Sequence, residues 1–573
     1  MMTDQQQQQQ AVHEDSQYAY ENERPAFGSE INMGGGGGVI IQENIDNRSL
    51  AQRAHANAKL CGMGMLAGAG MFSEAYFLFA IGNVKNIWKQ LYPECYDGDA
   101  SCSENLVSSL TYIEVIGVII GMLTFGYFAD TFGRRIGSCS TAIIMCVGGI
   151  LTAASDASYL TGQWIFFAVA LFFFSYGVGG EYPLASASAA ERAEEAKKRH
   201  SYAHHIRGKS VVLTFAMQGV GNFVNTLIII FILLGQGCDG ASEDCSDRSL
   251  ELTWRLQYAI GALFLVALAI GRVIFLKESK VWQTNRTKSD EIASSAKSGN
   301  HRSLMFKHYW HRLVGTAVGW FVWDIVFYGN KLFQGTIIKV IIGSDATIYQ
   351  TLEYTLLNSG VALVGYYVAA FTIDKPWMGR RRLQTIGFFW IFALFLICGC
   401  AYEDLSKPEN ISWFQALYYL SSFFGQFGPN STTWLLPSEL FPTDVRSQAH
   451  GISAASGKLG ALFSSLLFTY GSGGEALDAK IIFIVCAVCG IVGLVVTELF
   501  VPDVTSMDLS HADERWELIL EDRENEYSGD AVNAEYLSRF ERMIGIKPAL
   551  KSASKAREDV SKASSIEKNP ALA

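Results

Sequence analysis

Residues 126–135 read Gly-Tyr-Phe-Ala-Asp-Thr-Phe-Gly-Arg-Arg, and residues 374–381 repeat the pattern as Asp-Lys-Pro-Trp-Met-Gly-Arg-Arg. In each, an aspartate (Asp130, Asp374) precedes a glycine (Gly133, Gly379) and an arginine pair (Arg134 with Arg135, Arg380 with Arg381), and apolar runs flank both links. Glycine permits a tight turn, paired arginines hold that turn on one side of a bilayer, and aspartate can pair with arginine or cap a helix end. Anchoring a loop would explain the arginines alone. It does not explain why Asp and Gly recur at like spacing, so the two links point to a chain built from duplicated halves.

Outward from these links, apolar runs long enough to span hydrocarbon recur through the chain, about twelve in all. They fall at 60–84, 108–129, 136–155, 162–184, 210–234, 253–276, 313–335, 350–373, 384–402, 412–436, 451–471 and 480–501. The expected fold is an all-α integral membrane protein of twelve transmembrane helices in two six-helix halves. Its parts are a disordered tail (1–57), an N-terminal half (58–276), a flexible polar linker (277–310), a C-terminal half (311–502) and a solvated C-terminal tail (503–573). Composition agrees: 17% of residues are charged, against roughly 25% in soluble domains. The net charge of −10 arises largely in tails and links and argues for no nucleic-acid partner.

Lys and Arg collect in one set of links (Arg134, Arg135, Lys197 to Arg199, Arg207, Lys209, Arg380 to Arg382) and acids in the other (Glu94 to Glu104, Asp239 to Asp247). Both termini are therefore expected in the cytosol, with the plasma membrane as residence. Cys95 with Cys102 and Cys238 with Cys245, in the acidic links, are candidates for local disulfides. Cys486 and Cys489, inside an apolar run, read as small hydrophobes. His200, His204 and His205 lie in a basic link and read as surface residues. No metal site, Walker loop or cofactor motif is visible, so neither an enzyme nor an ATP-driven pump is expected.

Glu181 and Asp324 fall within spans, where a carboxylate costs on the order of 2.5–3.5 kcal/mol on insertion scales. Either each is a fixed, ion-paired acid, or each carries a proton across. Trp320, Asp324 and Tyr328 stand four residues apart, on one face of a helix. Indole and phenol donors flanking an acid suit a cavity for a proton-bearing oxyanion. Glu114 is expected near the outer interface.

The paired links resemble the signature loops of the major facilitator superfamily, as does Pro437-Ser438-Glu439-Leu440-Phe441-Pro442 through Arg446. Gly179-Gly180-Glu181-Tyr182-Pro183-Leu184, Phe215 to Gly219, Trp320 to Tyr328, Phe427 to Thr433 and Gly451 to Lys458 are similar to segments of the proton-coupled inorganic phosphate symporters of fungi and plants. That resemblance covers about Gly62 to Pro502. It implies a phosphate site of Tyr182, Gln218, Trp320, Asp324, Tyr328 and Asn430, with Lys458 also implicated, and proton coupling through Glu74, Glu181 and Asp324. Two departures stand out: Glu181 where that family usually has Asp, and Phe77 where it usually has a second acid one turn from Glu74. The implied function is proton-driven phosphate symport with no cofactor, leaving sodium open as coupling ion. Alternatives are a carrier of a phosphate ester such as a glycerophosphodiester and, on the strength of the tails alone, a transporter-like nutrient sensor.

Overall fold

An apolar run in hydrocarbon folds as a helix because only then does it satisfy its own backbone polar groups. The computed structural model describes residues 68–95, 104–199, 207–238, 245–295, 301–343, 346–471 and 477–546, with twelve long helices among the described residues. In the first half these are α1 (68–91, with a turn at Phe79), α2 (Glu104–Phe132), α3 (Arg134–Ala153), α4 (Leu160–Arg199), α5 (Arg207–Gly235) and α6 (Asp247–Phe275). In the second they are α7 (His301–Ile342), α8 (Ile348–Thr372), α9 (Gly379–Cys400), α10 (Ile411–Gly425 continuing to Leu440), α11 (Arg446–Tyr470) and α12 (Ala479–Phe500). Nine of the described helices are long and apolar enough to cross a membrane by themselves. The other three are α1, the over-long α7, and α10, which a π-helical turn at Gln426–Asn430 divides.

Large apolar side chains such as Phe231, Leu263 and Phe275 point outward and are more than half exposed. This suits a surface that meets lipid rather than water. Lipid supplies no hydrophobic drive between helices, so close packing of small residues must do the work. Gly121 of α2 and Gly179 of α4 are such a pair: a methyl group on either would overlap the other helix's backbone. Gly179 is thus a packing residue. The two halves meet along α2 against α11 and α5 against α8, the same pair of positions in each repeat.

Two expectations about polar segments are corrected. The linker is not a flexible coil throughout: Lys280–Ser295 is a helix, and α7 begins at His301 inside the segment assigned to the linker. The C-terminal tail is not solvated up to residue 546. Its helix Ser510–Leu520 buries Trp516 and Ile519 against Tyr309, Phe441 and Val445, and Glu541 is fully buried beside His311 and Arg312. The missed signal was Trp516 with Ile519 and Leu520, a short apolar stripe at helical spacing within an acidic stretch. The expected tail 1–57 and residues 547–573 lie outside the described residues, as do His200, His204 and His205. Cys238 and Cys245 form a disulfide; Cys95 is disulfide-bonded too, and Cys102 lies outside the described residues. Cys486 and Cys489 are free and buried.

Candidate functional site

The repeated links build one end of the molecule, the arginine end. Gly133 and Gly379 occupy equivalent turns and both have left-handed backbone, φ 103° and 71°, which a side chain would strain. Each turn aims its aspartate across the boundary between halves. Asp130 accepts the backbone N–H of Ser447 at 3.2 Å and of Gln448 at 2.8 Å, in the first turn of α11. Asp374 accepts those of Gly208 at 3.1 Å and Lys209 at 2.7 Å, in the first turn of α5. Helix N-termini offer unpaired N–H groups and a partial positive charge, so each half caps a helix of the other.

Buried ion pairs reinforce both caps. Arg134 holds Asp130 at 2.7 Å and Glu191 of α4 at 2.8 Å, while Arg446 stands 3.6 Å from Glu191. In the other repeat Arg380 holds Asp374 at 2.7 Å and Glu439 of α10 at 2.8 Å, and Arg207 reaches Glu439 at 2.7 Å. The duplication is thus complete to four residues a side, and it closes the arginine end. Arg135 is exposed and Arg381 half-buried; neither joins the cluster, so of each arginine pair only the first member acts there. Glu191 and Arg207 were missed because the span from one to the other is longer than that from Glu439 to Arg446, which hides the repeat.

Midway along the bundle, Trp320, Asp324 and Tyr328 line one face of α7, as their spacing predicts, and all are buried. Asp324 accepts a hydrogen bond from Lys458 of α11 at 2.8 Å. The Lys458 ammonium lies 4.5 Å from the centre of the Tyr328 ring and 5.1 Å from that of Tyr182, where ring quadrupoles favour a cation. Five of the seven expected substrate residues therefore form one cluster. The remaining two, Gln218 and Asn430, are linked to it by a chain of hydrogen bonds that crosses the boundary. Gln218 donates to Tyr182 at 2.8 Å and accepts from Tyr366 of α8 at 3.0 Å, and Asn430 donates to Tyr366 at 2.6 Å and accepts from Trp323 at 2.8 Å.

The π-helical turn explains why Asn430 is there. Pro429 has no N–H to give the helical ladder, the turn widens, and Gly428 lets α9 approach at Gly387. Turns of this kind concentrate at functional sites. Tyr366 and Trp323 went unnoticed because an aromatic in an apolar span carries no mark in the sequence of what it will bond.

Glu74 of α1 is fully buried beside Tyr182 and Gln218, and no cation pairs with its carboxyl among the described residues. Glu181 is different. Arg272 of α6 donates to both of its oxygens, one at 2.6 Å, and also to the Ser138 carbonyl at 3.0 Å. Arg272 was legible: of the two arginines in the apolar run 253–276, Arg255 lies at its polar edge and Arg272 is flanked by apolar residues, where it needs an acid partner. Glu114, expected at an interface, is buried and lines a cavity that starts at Tyr328 and leads away from the arginine end.

Against known proteins, the profile of the family described as "Sugar (and other) transporter" matches residues 63–516. The chain belongs to that family. This transporter is 32% identical over 474 residues to the low affinity inorganic phosphate transporter 4 of Lotus japonicus, covering 75% of this chain and 87% of the relative. It is 29% identical over 481 residues to glycerophosphoinositol permease 1 of Candida albicans, covering 83% and 85%. Among solved structures, the major facilitator proton:xylose symporter XylE bound to 6-bromo-6-deoxy-D-glucose superposes with a TM-score of 0.65 at 20% identity, over 80% of this transporter and 99% of XylE. The transporter is thus an integral membrane protein of the major facilitator fold.

Proposed function

We propose that the transporter carries a phosphate-bearing anion together with a proton, by rocking two six-helix halves about the Asp324–Lys458 pair. The carrying observation is that pair: two buried opposite charges 2.8 Å apart, ringed by Tyr182, Tyr328 and Trp320, at the boundary between halves. An arriving anion offers Lys458 a second partner. Asp324, losing its cation, is then better satisfied by a proton or by a hydroxyl of the anion. Binding of anion and proton is coupled in this way, and the departure of either promotes release of the other when the site opens on the opposite side. Glu74, buried with no cation paired to it among the described residues, is a second place for the proton; Glu181, tied to Arg272, acts as a fixed ion pair.

Inorganic phosphate is the favoured substrate. All seven side chains expected from the phosphate-symporter resemblance are kept, and the Lotus relative, the more identical of the two curated relatives named above, is an inorganic phosphate transporter by name. A glycerophosphodiester is the second reading, favoured by the fungal permease that matches over more of this chain than the Lotus protein does. The arginine end faces the cytosol in this reading, following the charge bias of the links, and the membrane is the plasma membrane. The test is uptake of labelled phosphate into proteoliposomes under an imposed pH gradient, with a sodium gradient in parallel and glycerophosphoinositol as competitor. Accumulation driven by the proton gradient is expected; its absence for both substrates in well-folded protein would overturn the reading.

A further inference from the structure

Lys331 stands seven residues beyond Asp324 on α7, on the same face and about 10 Å further from the arginine end at 1.5 Å per residue. It lines the cavity that starts at Tyr328, of about 70 Å³, where one water needs roughly 10–15 Å³. Unlike Lys458, Lys331 has no carboxylate within ion-pair distance among the described residues. Its contacts are the Gln334 side-chain carbonyl at 3.3 Å and the Phe79 ring at 5.8 Å. Both are weak holds for an ammonium inside a membrane protein, where an unpaired charge is costly and marks a pathway or a site. A second observation points the same way. Gln334, 7% exposed, lines the same cavity with its amide nitrogen buried and without a hydrogen-bond partner.

We propose that this cavity is a second, outer site for the phosphoryl group of the transported anion, with Lys331 supplying the charge and Gln334 and Thr111 neutral donors. This rests on the reading of the protein as a phosphate-anion carrier. An oxyanion entering from the end opposite the arginines meets Lys331 before it reaches Lys458, which Asp324 already occupies. Three ammonium hydrogens, an amide N–H₂ and a hydroxyl match the several acceptor oxygens of a phosphoryl group. Glu114 lines the same cavity and forms no ion pair with Lys331; one acid against one base leaves the site without net charge. It holds an anion loosely and passes it two turns down the α7 stripe, past Tyr328, to the central pair.

The test is the initial rate of labelled inorganic phosphate uptake by reconstituted Lys331→Gln, Lys331→Arg and Gln334→Leu proteins, combined with calorimetric titration of inorganic phosphate into Lys458→Met and Lys458→Met/Lys331→Gln proteins. Loss of one charged hydrogen bond predicts a KM raised about tenfold in Lys331→Gln at nearly unchanged kcat, with Lys331→Arg near wild type and Gln334→Leu between them. Lys458→Met should keep a weak phosphate site that the double variant lacks. A wild-type KM in Lys331→Gln, a fall in kcat alone, or no residual binding in Lys458→Met would overturn the outer site while wild-type uptake leaves the carrier reading standing. Wild-type protein that neither binds nor accumulates phosphate would overturn both.

Discussion

Arg272 binds Glu181 through both of its terminal nitrogens, and neither residue exposes more than 2% of its side chain. The pair ties α6 to α4 and braces a third element, because Gly70 of α1 packs so closely that a methyl group there would overlap both side chains. Removing one partner of a buried pair strands the other, at a cost of about 3–5 kcal/mol. Arg272→Met and Glu181→Gln should each unfold at markedly lower temperature in detergent, and the double variant should be more stable than the sum of the two losses predicts. Full stability of Glu181→Gln would return Glu181 to the list of proton carriers.

Asp324→Asn, which strands the buried Lys458 and should melt at a lower temperature than the wild type, is expected still to fold and insert yet lose proton-driven accumulation, because an amide cannot exchange a proton. It frees Lys458 for the anion, so binding of labelled phosphate should persist or tighten while net uptake falls to background. Exchange of internal for external phosphate, which needs no net proton movement, should survive. Gradient-driven accumulation at the wild-type level would make Asp324 a structural acid.

The sequence reveals what periodicity and charge economy dictate, and conceals what depends on neighbours far along the chain. Apolar runs gave the helices; Asp130 and Asp374 with their glycines gave the duplication; the four-residue spacing of Trp320, Asp324 and Tyr328 gave one wall of the centre. Arg272 could have been paired with Glu181 by counting charges inside spans. Tyr366 could not have been found that way, since its role is set by Gln218 and Asn430, 148 and 64 residues away. The docked C-terminal segment was hidden by its acidity: Asp513, Glu524 and Glu541 look like solvated charges until Thr443, His308 and Arg312 are seen beside them.

Glu439 joins the halves, accepting from Arg207 of the first at 2.7 Å and Arg380 of the second at 2.8 Å. Glu439→Gln removes the anion shared by two buried guanidinium groups, leaving Arg380 with Asp374 alone and Arg207 with Glu194 at 3.9 Å, and up to about 3–5 kcal/mol of the closed arrangement should go with it. The arginine end should then open more often. Ser186, fully buried on α4 and donating to the Trp434 carbonyl of α10 at 3.3 Å, reports this. In a cysteine-free background, Ser186→Cys should react slowly with a water-soluble thiol reagent and at least tenfold faster once Glu439→Gln is added. Equal rates would show that the ion pairs do not govern closure.

Docking of the C-terminal segment should depend on pH. The His308 hydrogen bond, helped by Arg515, holds the Glu524 carboxyl at about 2, against an ordinary 4.5. Burial alone would raise Glu541, but Arg312 and His311 hold it well below the usual range. Both carboxyls are depressed, so the docked segment binds fewer protons than the free one and their stabilisation is complete above about 4.5. It is lost as pH falls through the window from 4.5 toward 2. Asp513 pulls the other way, since burial raises it, but it is one group against two. A spin label on Met543→Cys, an exposed position, should be immobile at pH 6 and gain mobility below about 4.5. Glu524→Gln/Glu541→Gln should be mobile already at pH 6. A label equally immobile at pH 3 in the unmodified background would mean that apolar contacts of Trp516 and Phe540 hold the segment without the carboxylates.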